Sequence, residues 1–444
     1  MKKIGLSLLG IVAVAAIYYF TSGSEQLTIE MKQQVDTKLA SLQTKGFAVE
    51  GREVSEKKEH FVISFDDTKK VTDFFNAKGA QVTEQDVALL KGLKLGVDVT
   101  YLADAYSAAS FDIYPMALPN MEVTSDMNAN DKKTLIAVNR MLKEKTFLAH
   151  VDINKLGTGF KGYMKDINEV IDGEHVITIK MTALKFAGDL KDDKLSAVTQ
   201  TLKNLTILGD NDALNMQLNN LKSNYAITGD TKYDYSTGYT IEEMLVTAKD
   251  EFKLSVNSMT MDSTSKVNNH LASITAQTEI DSIHFTEGQK TSTLETLIFD
   301  MKADNFDMAA IEKLETINPN NEEELLATFQ QLISKGVRLE IPNFSVKNLE
   351  LENEKLDGFK LSSSFDIDKT LDLATLEQNP MAAIGAMNAN LNLTLSNQLF
   401  GFIAKQPQAV MIMMMIQPKD VNGDKVYTVE LKDGKLSVNG KPMM

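Results

Sequence analysis

The feature that most limits this fold is a period of two. Along much of the 444-residue chain, apolar and polar side chains alternate. In a strand that spacing puts every second residue on the same face. Between Phe147 and about Met301 the clearest stretches are 147–153, 175–186, 225–235, 244–259, 271–285 and 293–301, with turns at Asp172-Gly173, Gly229-Asp230 and Glu287-Gly288-Gln289. Long alternating strands joined in sequence pair antiparallel, one face packed and the other wet or lining a groove. Further strands are expected at 47–49, 61–65, 93–99, 111–113, 337–341, 344–351 and 359–367, the last two joined across Asp357-Gly358. The fold class that follows is α+β and β-dominated: a long twisted antiparallel sheet with a few packed helices.

Helical spacing interrupts this pattern. Leu27, Met31, Val35, Leu39 and Leu42 form one narrow apolar stripe closed by Gly46, and a short helix is expected at 69–77. Asp131 reads as an N-cap ahead of Leu135, Val138, Met141 and Leu142. Two helical patches are expected at 191–205 and 211–221. Asp307 caps a helix running through Leu314, and Asn321 starts another that ends at Gly336. A methionine-rich, helix-prone block at 399–416 precedes a terminal hairpin, whose strands 426–431 and 435–438 flank Asp433-Gly434, a type I′ turn pair. One weak repeat is visible: 306–312 resembles 371–377, each an Asp-capped helix start after an alternating strand.

The first twenty residues follow different rules. Lys2 and Lys3 precede an uncharged run, Ile4 to Phe20. As a helix this run spans roughly 25 Å, slightly short of a bilayer core of about 30 Å. Three readings compete. Ala13-Val14-Ala15 offers a small-x-small site for signal-peptide cleavage. An uncleaved anchor explains why the apolar run continues into Ile17-Tyr18-Tyr19-Phe20, where tyrosines fit an interfacial belt. A buried core helix fits poorly between the paired lysines and the polar Thr21-Ser22-Gly23-Ser24. The anchor is favoured, with the rest of the chain exported. The expected organisation is therefore a signal-anchor over residues 1–24 and one β-rich periplasmic ectodomain over 25–444, the inner membrane being engaged through residues 4–20.

Composition narrows the function. Cysteine is absent, which removes disulfides, thiol nucleophiles and thiolate metal sites. Net charge is −15, so nucleic acid and anionic headgroups are not expected as broad-surface partners. The five histidines, His60, His150, His175, His270 and His284, form no HExxH pair, and no nucleophile elbow or phosphate loop is present. The glycines at 157, 159 and 162 read as a turn. Asp420-Val421-Asn422-Gly423-Asp424 starts like a calcium loop but has Lys425 and Leu431 where glycine and glutamate are required, so it reads as a hairpin entry. Adjacent carboxylates such as Asp66/Asp67 and Asp192/Asp193 point to opposite faces of a strand. No catalytic residue, cofactor site or metal site is assigned.

One block stands out, 409–416, eight apolar residues that are too few to cross a bilayer. Met411, Met413, Met414 and Met415 are the candidate site residues. They are either core packing or an adaptable wall for acyl chains or a partner's helix.

The Lys-Lys-apolar start, the alternating strands and the terminal Tyr427-x-Val429, Asp433-Gly434-x-Leu436-x-Val438-Asn439-Gly440-x-Pro442 pattern together resemble the YdgA-like family of bacterial envelope proteins. The resemblance implies an inner-membrane anchor and a periplasmic ectodomain, and transfers no catalytic residues. A more distant likeness of architecture is to the AsmA-like envelope proteins, associated with lipid movement. The expected function is non-catalytic: an ectodomain that binds an apolar ligand such as lipid, or an envelope protein partner. The alternative is a structural or assembly scaffold acting only through protein–protein contacts.

Overall fold

The computed structural model describes residues 29–77, 82–101, 106–119, 128–191, 194–210, 213–249, 251–314, 317, 321–375, 384–406 and 416–443. The expected anchor at 4–20 and the four candidate methionines lie outside the described residues. Among those described, no helix is long and apolar enough to cross a membrane. The chain divides into two compact units between Ala226 and Ile227.

The first unit contains strands β1 (Phe47–Val54), β2 (Lys58–Phe65), β3 (Lys94–Tyr101), β4 (Ser107–Ala117), β5 (Ala149–Asn154), β6 (Gly159–Met164), β7 (Ile167–Ile171), β8 (Ile177–Thr182), β9 (Lys185–Lys191), β10 (Lys194–Leu208) and β11 (Asn215–Ile227). All pairs are antiparallel. β1 to β6 follow in sequence, then β9, β10 and β11. β10 is long enough to serve two partners on one edge: its first half pairs with β9 and its second with β8, which carries β7.

Helices α1 (Ile29–Thr44), α2 (Thr68–Ala77), α3 (Glu84–Ala88) and α4 (Ala129–Lys143) accompany this sheet. Val35, Leu39 and Leu42 of α1, with Val71, Phe74 and Phe75 of α2, share one core cluster with Phe61, Val97, Phe111 and Val151 of the strands. Phe47 meets Phe74 edge to face at 5.2 Å. Burying each such side chain contributes about 1.5–3 kcal/mol. Gly46 closes α1 at φ = 91°, and a Cβ there would lie 2.7 Å from the Asp67 carbonyl oxygen, so only glycine fits.

A polar clamp fixes α1. Glu59 is 2 % exposed; its carboxylate receives Arg52 Nε at 2.5 Å and the Tyr101 hydroxyl at 2.8 Å. Arg52 also pairs with Asp36 of α1. Burial, and then the hydrogen bond to Glu59, push the Tyr101 phenol far above its ordinary value.

The second unit is a meander of long strands: β12 (Tyr235–Ala248), β13 (Phe252–Asn268), β14 (Leu271–Glu287), β15 (Lys290–Asp307), β16 (Val337–Leu351), β17 (Glu354–Ile367) and β18 (Met387–Leu395). Each pairs with the next. β18 then pairs with β20 (Asp424–Lys432), whose other edge takes β19 (Lys419–Val421) and β21 (Lys435–Val438), and β21 pairs with β22 (Lys441–Pro442). Helices α5 (Met308–Leu314), α6 (Glu322–Ile333) and α7 (Asn397–Ala404) complete it.

The β-dominated antiparallel architecture is as expected, and several local signals read correctly. Asp307 Oδ1 accepts the Ala310 N–H at 3.1 Å to start α5, and Asn321 Oδ1 accepts the Glu324 N–H at 3.2 Å to start α6. Asp433 and Gly434 take φ = 51° and 73°, the type I′ conformation. Asn422 and Gly423, at 54° and 94°, make the β19–β20 stretch the hairpin turn expected in place of a calcium loop. In the second copy of the repeat Asp372 Oδ1 accepts the Ala374 N–H at 3.0 Å and a 3-10 turn, Leu373–Thr375, begins there; residues 376–383 lie outside the described residues.

Other expectations are corrected. The N-cap of α4 is Asn128, whose side chain accepts from the N–H groups of Asn130 and Asp131; Asp131 stands in the first turn, where its charge suits the helix's positive end. Stretch 225–235 contains a turn, with β11 ending at Ile227 and β12 starting at Tyr235, and 244–259 crosses the hairpin between β12 and β13. Asp357-Gly358 is not a turn. β16 and β17 are joined at Glu352 and Asn353, with φ = 52° and 68°. Gly358 lies inside β17, where a Cβ would sit 1.7 Å from the Val346 carbonyl oxygen, so the glycine answers to close approach of the neighbouring strand. Of the patches at 191–205 and 211–221, Lys191 ends β9, 194–205 lie in β10 and 215–221 lie in β11, for a reason given below.

Candidate functional site

Two surfaces stand out among the described residues, one in each unit. In the second unit, pairing register lines up apolar residues in rows across the sheet. One row runs Tyr239, Met261, Thr278, Phe299, Phe344, Leu361, Leu393 and Tyr427. The row beside it runs Ile241, Met259, Ile280, Leu297, Val346, Phe359 and Leu395. Phe344 meets Phe299 at 5.7 Å and Phe359 at 5.1 Å, both edge to face. This is an aromatic ladder on a single face.

That face is covered unevenly. Leu399, Phe400, Phe402 and Ile403 of α7 pack with Leu294, Leu297, Val346, Leu349, Leu356, Phe359 and Leu395. Elsewhere the covering thins. Phe299, Phe344, Leu361 and Leu393 are only half-buried, while Met301 is 36 % exposed, Leu339 40 % and Tyr239 45 %. At roughly 3.3 Å per residue, the longest strands run for over 50 Å, so this is an extended, partly open apolar surface.

The rows hold a signal that a period of two hides. Leu294/Leu297, Val346/Leu349 and Leu356/Phe359 are pairs three residues apart, yet all six side chains belong to one cluster. Register is the same on both sides of each pair, as in Leu294↔Leu349 and Leu297↔Val346. The strands therefore invert their alternation at Thr296, Lys347 and Gly358, aligned across the sheet. Thr296 takes φ = 54°, a left-handed residue that turns the following side chains over. Val256/Met259 and Ile280/Ile283 repeat the spacing, with Ser258 at φ = 50°. The first unit does the same: Leu202, Leu205, Leu218 and Leu221 pack in one cluster, and Asn220 between them takes φ = 49°. Apolar residues at i and i+3 look helical in a sequence. Here they mark a kinked strand pair, which is why 191–205 and 211–221 read as helix.

In the first unit the notable face is the polar one. Register places His60, Asp98, Asp112, His150, Tyr163, Lys185 and Thr201 side by side on seven strands. Asp98 accepts from His60 Nδ1 at 2.6 Å, Lys145 Nζ at 2.8 Å and the Tyr114 hydroxyl at 3.2 Å. Burial works against its ionisation, but the hydrogen bonds from Lys145 and His60 prevail and hold the carboxyl below the usual carboxylate range. His150 stands between carboxylates, Nδ1 2.7 Å from Asp112 and Nε2 3.2 Å from Asp152. The Asp112 bond pushes its imidazole above the ordinary value against the effect of burial.

This arrangement suits charge storage more than proton transfer. With both nitrogens held by carboxylates, His150 has no free lone pair with which to deprotonate a nucleophile. Among the described residues, no group of three His, Asp or Glu side chains is placed to hold a metal ion. The sequence shows His60 and His150 only as two of five histidines that form no HExxH pair. Their alignment is a register property, and register is set by pairs of strands that are far apart in sequence.

Residues 123–444 match the DUF945 family, described as bacterial proteins of unknown function, and the chain belongs to that family. No curated protein and no solved structure matches it.

Proposed function

We propose that this DUF945 member is a non-catalytic protein of the bacterial envelope. In this reading residues 4–20 anchor it in the inner membrane, and the β-rich remainder lies in the periplasm, as its resemblance to the YdgA-like envelope proteins implies. The apolar sheet face of the second unit binds lipid acyl chains. The observation that carries the reading is the half-buried row Phe299–Phe344–Leu361–Leu393 with its flanking methionines. A contiguous apolar surface left partly open is a binding surface more often than an accident. Its rows lie several strands wide, broader than the single stripe an amphipathic helix presents, and fit flexible hydrocarbon better.

The test is native mass spectrometry of the gently purified full chain. Bound lipid is expected in the wild type. Leu361→Glu should lose it while keeping the far-UV spectrum, because a charge on a half-buried face repels hydrocarbon without burying an unpaired ion. Absence of lipid from the wild type, or its retention by the variant, would refute the reading. Absence of lipid together with a stoichiometric protein partner would favour the scaffold.

A further inference from the structure

On the polar face of the first unit, a hollow of 310 Å³ opens across β5, β6, β9 and β10, lined by Asp152, Lys161, Tyr163, Lys185, Thr199 and Thr201 around a floor at Gly162, Phe186 and Ala187. It exists because of one small side chain. The polar row Asp152, Lys161, Ala187 and Thr199 has a single methyl where its neighbours have longer groups. One wall is an exposed aromatic ring. Tyr163 is 47 % exposed and stacks on His150 at 5.0 Å. His150 is in turn fixed by Asp112 and Asp152, so the tyrosine stands on a support already braced.

The charges around the hollow are unusual for so acidic a chain. Among the described residues, neither Lys161 nor Lys185 forms an ion pair, although Asp152 is the cross-strand neighbour of Lys161. The Lys161 ammonium lies over the Tyr106 ring at 4.2 Å. Lys161 and Lys185 are diagonal neighbours on paired strands, placing their Cβ atoms about 7 Å apart. Two cations therefore flank a floor of strand backbone and the Ala187 methyl, the Phe186 ring packing with the core on the other face, beside an aromatic wall, two hydroxyls and one carboxylate.

From this set we infer a binding site for a single pyranose ring bearing one acidic substituent. The carbon face of the ring lies on Tyr163, its hydroxyls bond Thr199, Thr201 and Asp152, and its carboxylate or phosphate pairs with Lys161 and Lys185. Asp152 decides against a bare anion, which it would repel, and in favour of a ligand that also donates hydroxyl hydrogen bonds. The lysines decide against a neutral sugar. This site is separate from the apolar face and does not depend on lipid binding there.

The experiment is isothermal titration calorimetry of the full chain with glucuronate, glucose 6-phosphate, glucose and inorganic phosphate. The two acidic sugars should bind saturably and at least about tenfold more tightly than glucose or phosphate, a difference of about 1.4 kcal/mol. Lys161→Ala and Lys185→Ala should each weaken them severalfold, Tyr163→Ala should abolish binding, and Tyr163→Phe should retain it, all with unchanged far-UV spectra. Equal binding of glucose, equal binding of phosphate, no binding of either acidic sugar, or indifference to both lysine substitutions would each overturn the site. Should Tyr163→Ala unfold the chain, the lysine variants alone decide.

Discussion

The two units use the same strand pattern and cover it differently. In the first, the apolar sheet face is sealed: Phe61 and Val151 are 0 % exposed and Phe111 2 %, with α1, α2 and α3 in the same cluster. In the second, equivalent positions remain partly open, up to 40 % at Leu339 and 45 % at Tyr239. Alternation decides which side chains share a face, but helices placed between strands decide whether that face becomes a core. The first unit places α1 before β1 and inserts α2 and α3 between β2 and β3; the second inserts α5 and α6 only after β15. A sealed face has packing as its use, whereas an open one is available to something else.

The sharpest way to break this contrast is to remove one phenylalanine from each face. Phe111→Ala should cost about 3–5 kcal/mol, the range for a fully buried phenylalanine. Phe344→Ala, at a half-buried position, should cost about half as much or less, since less area leaves water and the void stays open to solvent. Denaturant titration of both variants reads the difference. Equal losses would mean that the second face is as much a core as the first.

The polar clamp is next in size. Glu59→Gln removes the charge that Arg52 and Tyr101 were built around, and an effect of about 1–3 kcal/mol is expected. The lower part of that range is favoured because Arg52 is 35 % exposed and keeps water and Asp36. A melting point unchanged from wild type would show that α1 is held by its apolar stripe alone.

Much of this fold was legible before the structure. Val35, Leu39 and Leu42 of the α1 stripe, the Asp307 and Asn321 caps, and the terminal Asp433-Gly434 turn depend on residues a few positions apart, and the structure agrees with each. Other positions depend on a strand that is distant in sequence. Leu202 and Leu205 share a cluster where β10 runs beside the left-handed Asn220 of β11; Gly358 is required because Val346 approaches it from β16. The polar row was invisible for the same reason: Asp112 and His150 are 38 residues apart, and only register joins them. The four methionines chosen as site residues lie outside the described residues, and the open apolar rows arise from strands that each look ordinary alone.

Turn chemistry gives a smaller effect. Gly434→Val places a β-branched residue at φ = 73° and should cost about 1–2 kcal/mol. Because β21 packs Val438 against the sheet at 6 % exposure, the loss should appear as early melting of the terminal hairpin, read by hydrogen exchange at β20 and β21. Uniform protection with no change would indicate that the strands hold the turn and are not held by it.

The smallest expected effect is a pH dependence confined to the first unit. Asp112, first, and then Asp152 raise the His150 value in the folded chain, against burial. A group whose folded value lies above its unfolded value of about 6.5 binds its proton more tightly when folded. Its contribution is therefore complete below about pH 6.5 and is lost as pH rises through the folded value. The groups facing His150 are Asp112, Asp152 and Tyr163. Asp98, further along the row, is held low, so its contribution is present above the unfolded carboxylate range and is lost only in acid. Between pH 6 and 8, roughly the range in which a mildly perturbed histidine titrates, His150 should dominate. Wild-type melting temperature should fall gently with rising pH, and His150→Gln should flatten the slope while lowering stability most at the acid end of that window. NMR titration of the His150 ring locates the folded value directly. A slope that survives His150→Gln unchanged would refute the assignment of this pH dependence to His150 and its two carboxylate partners.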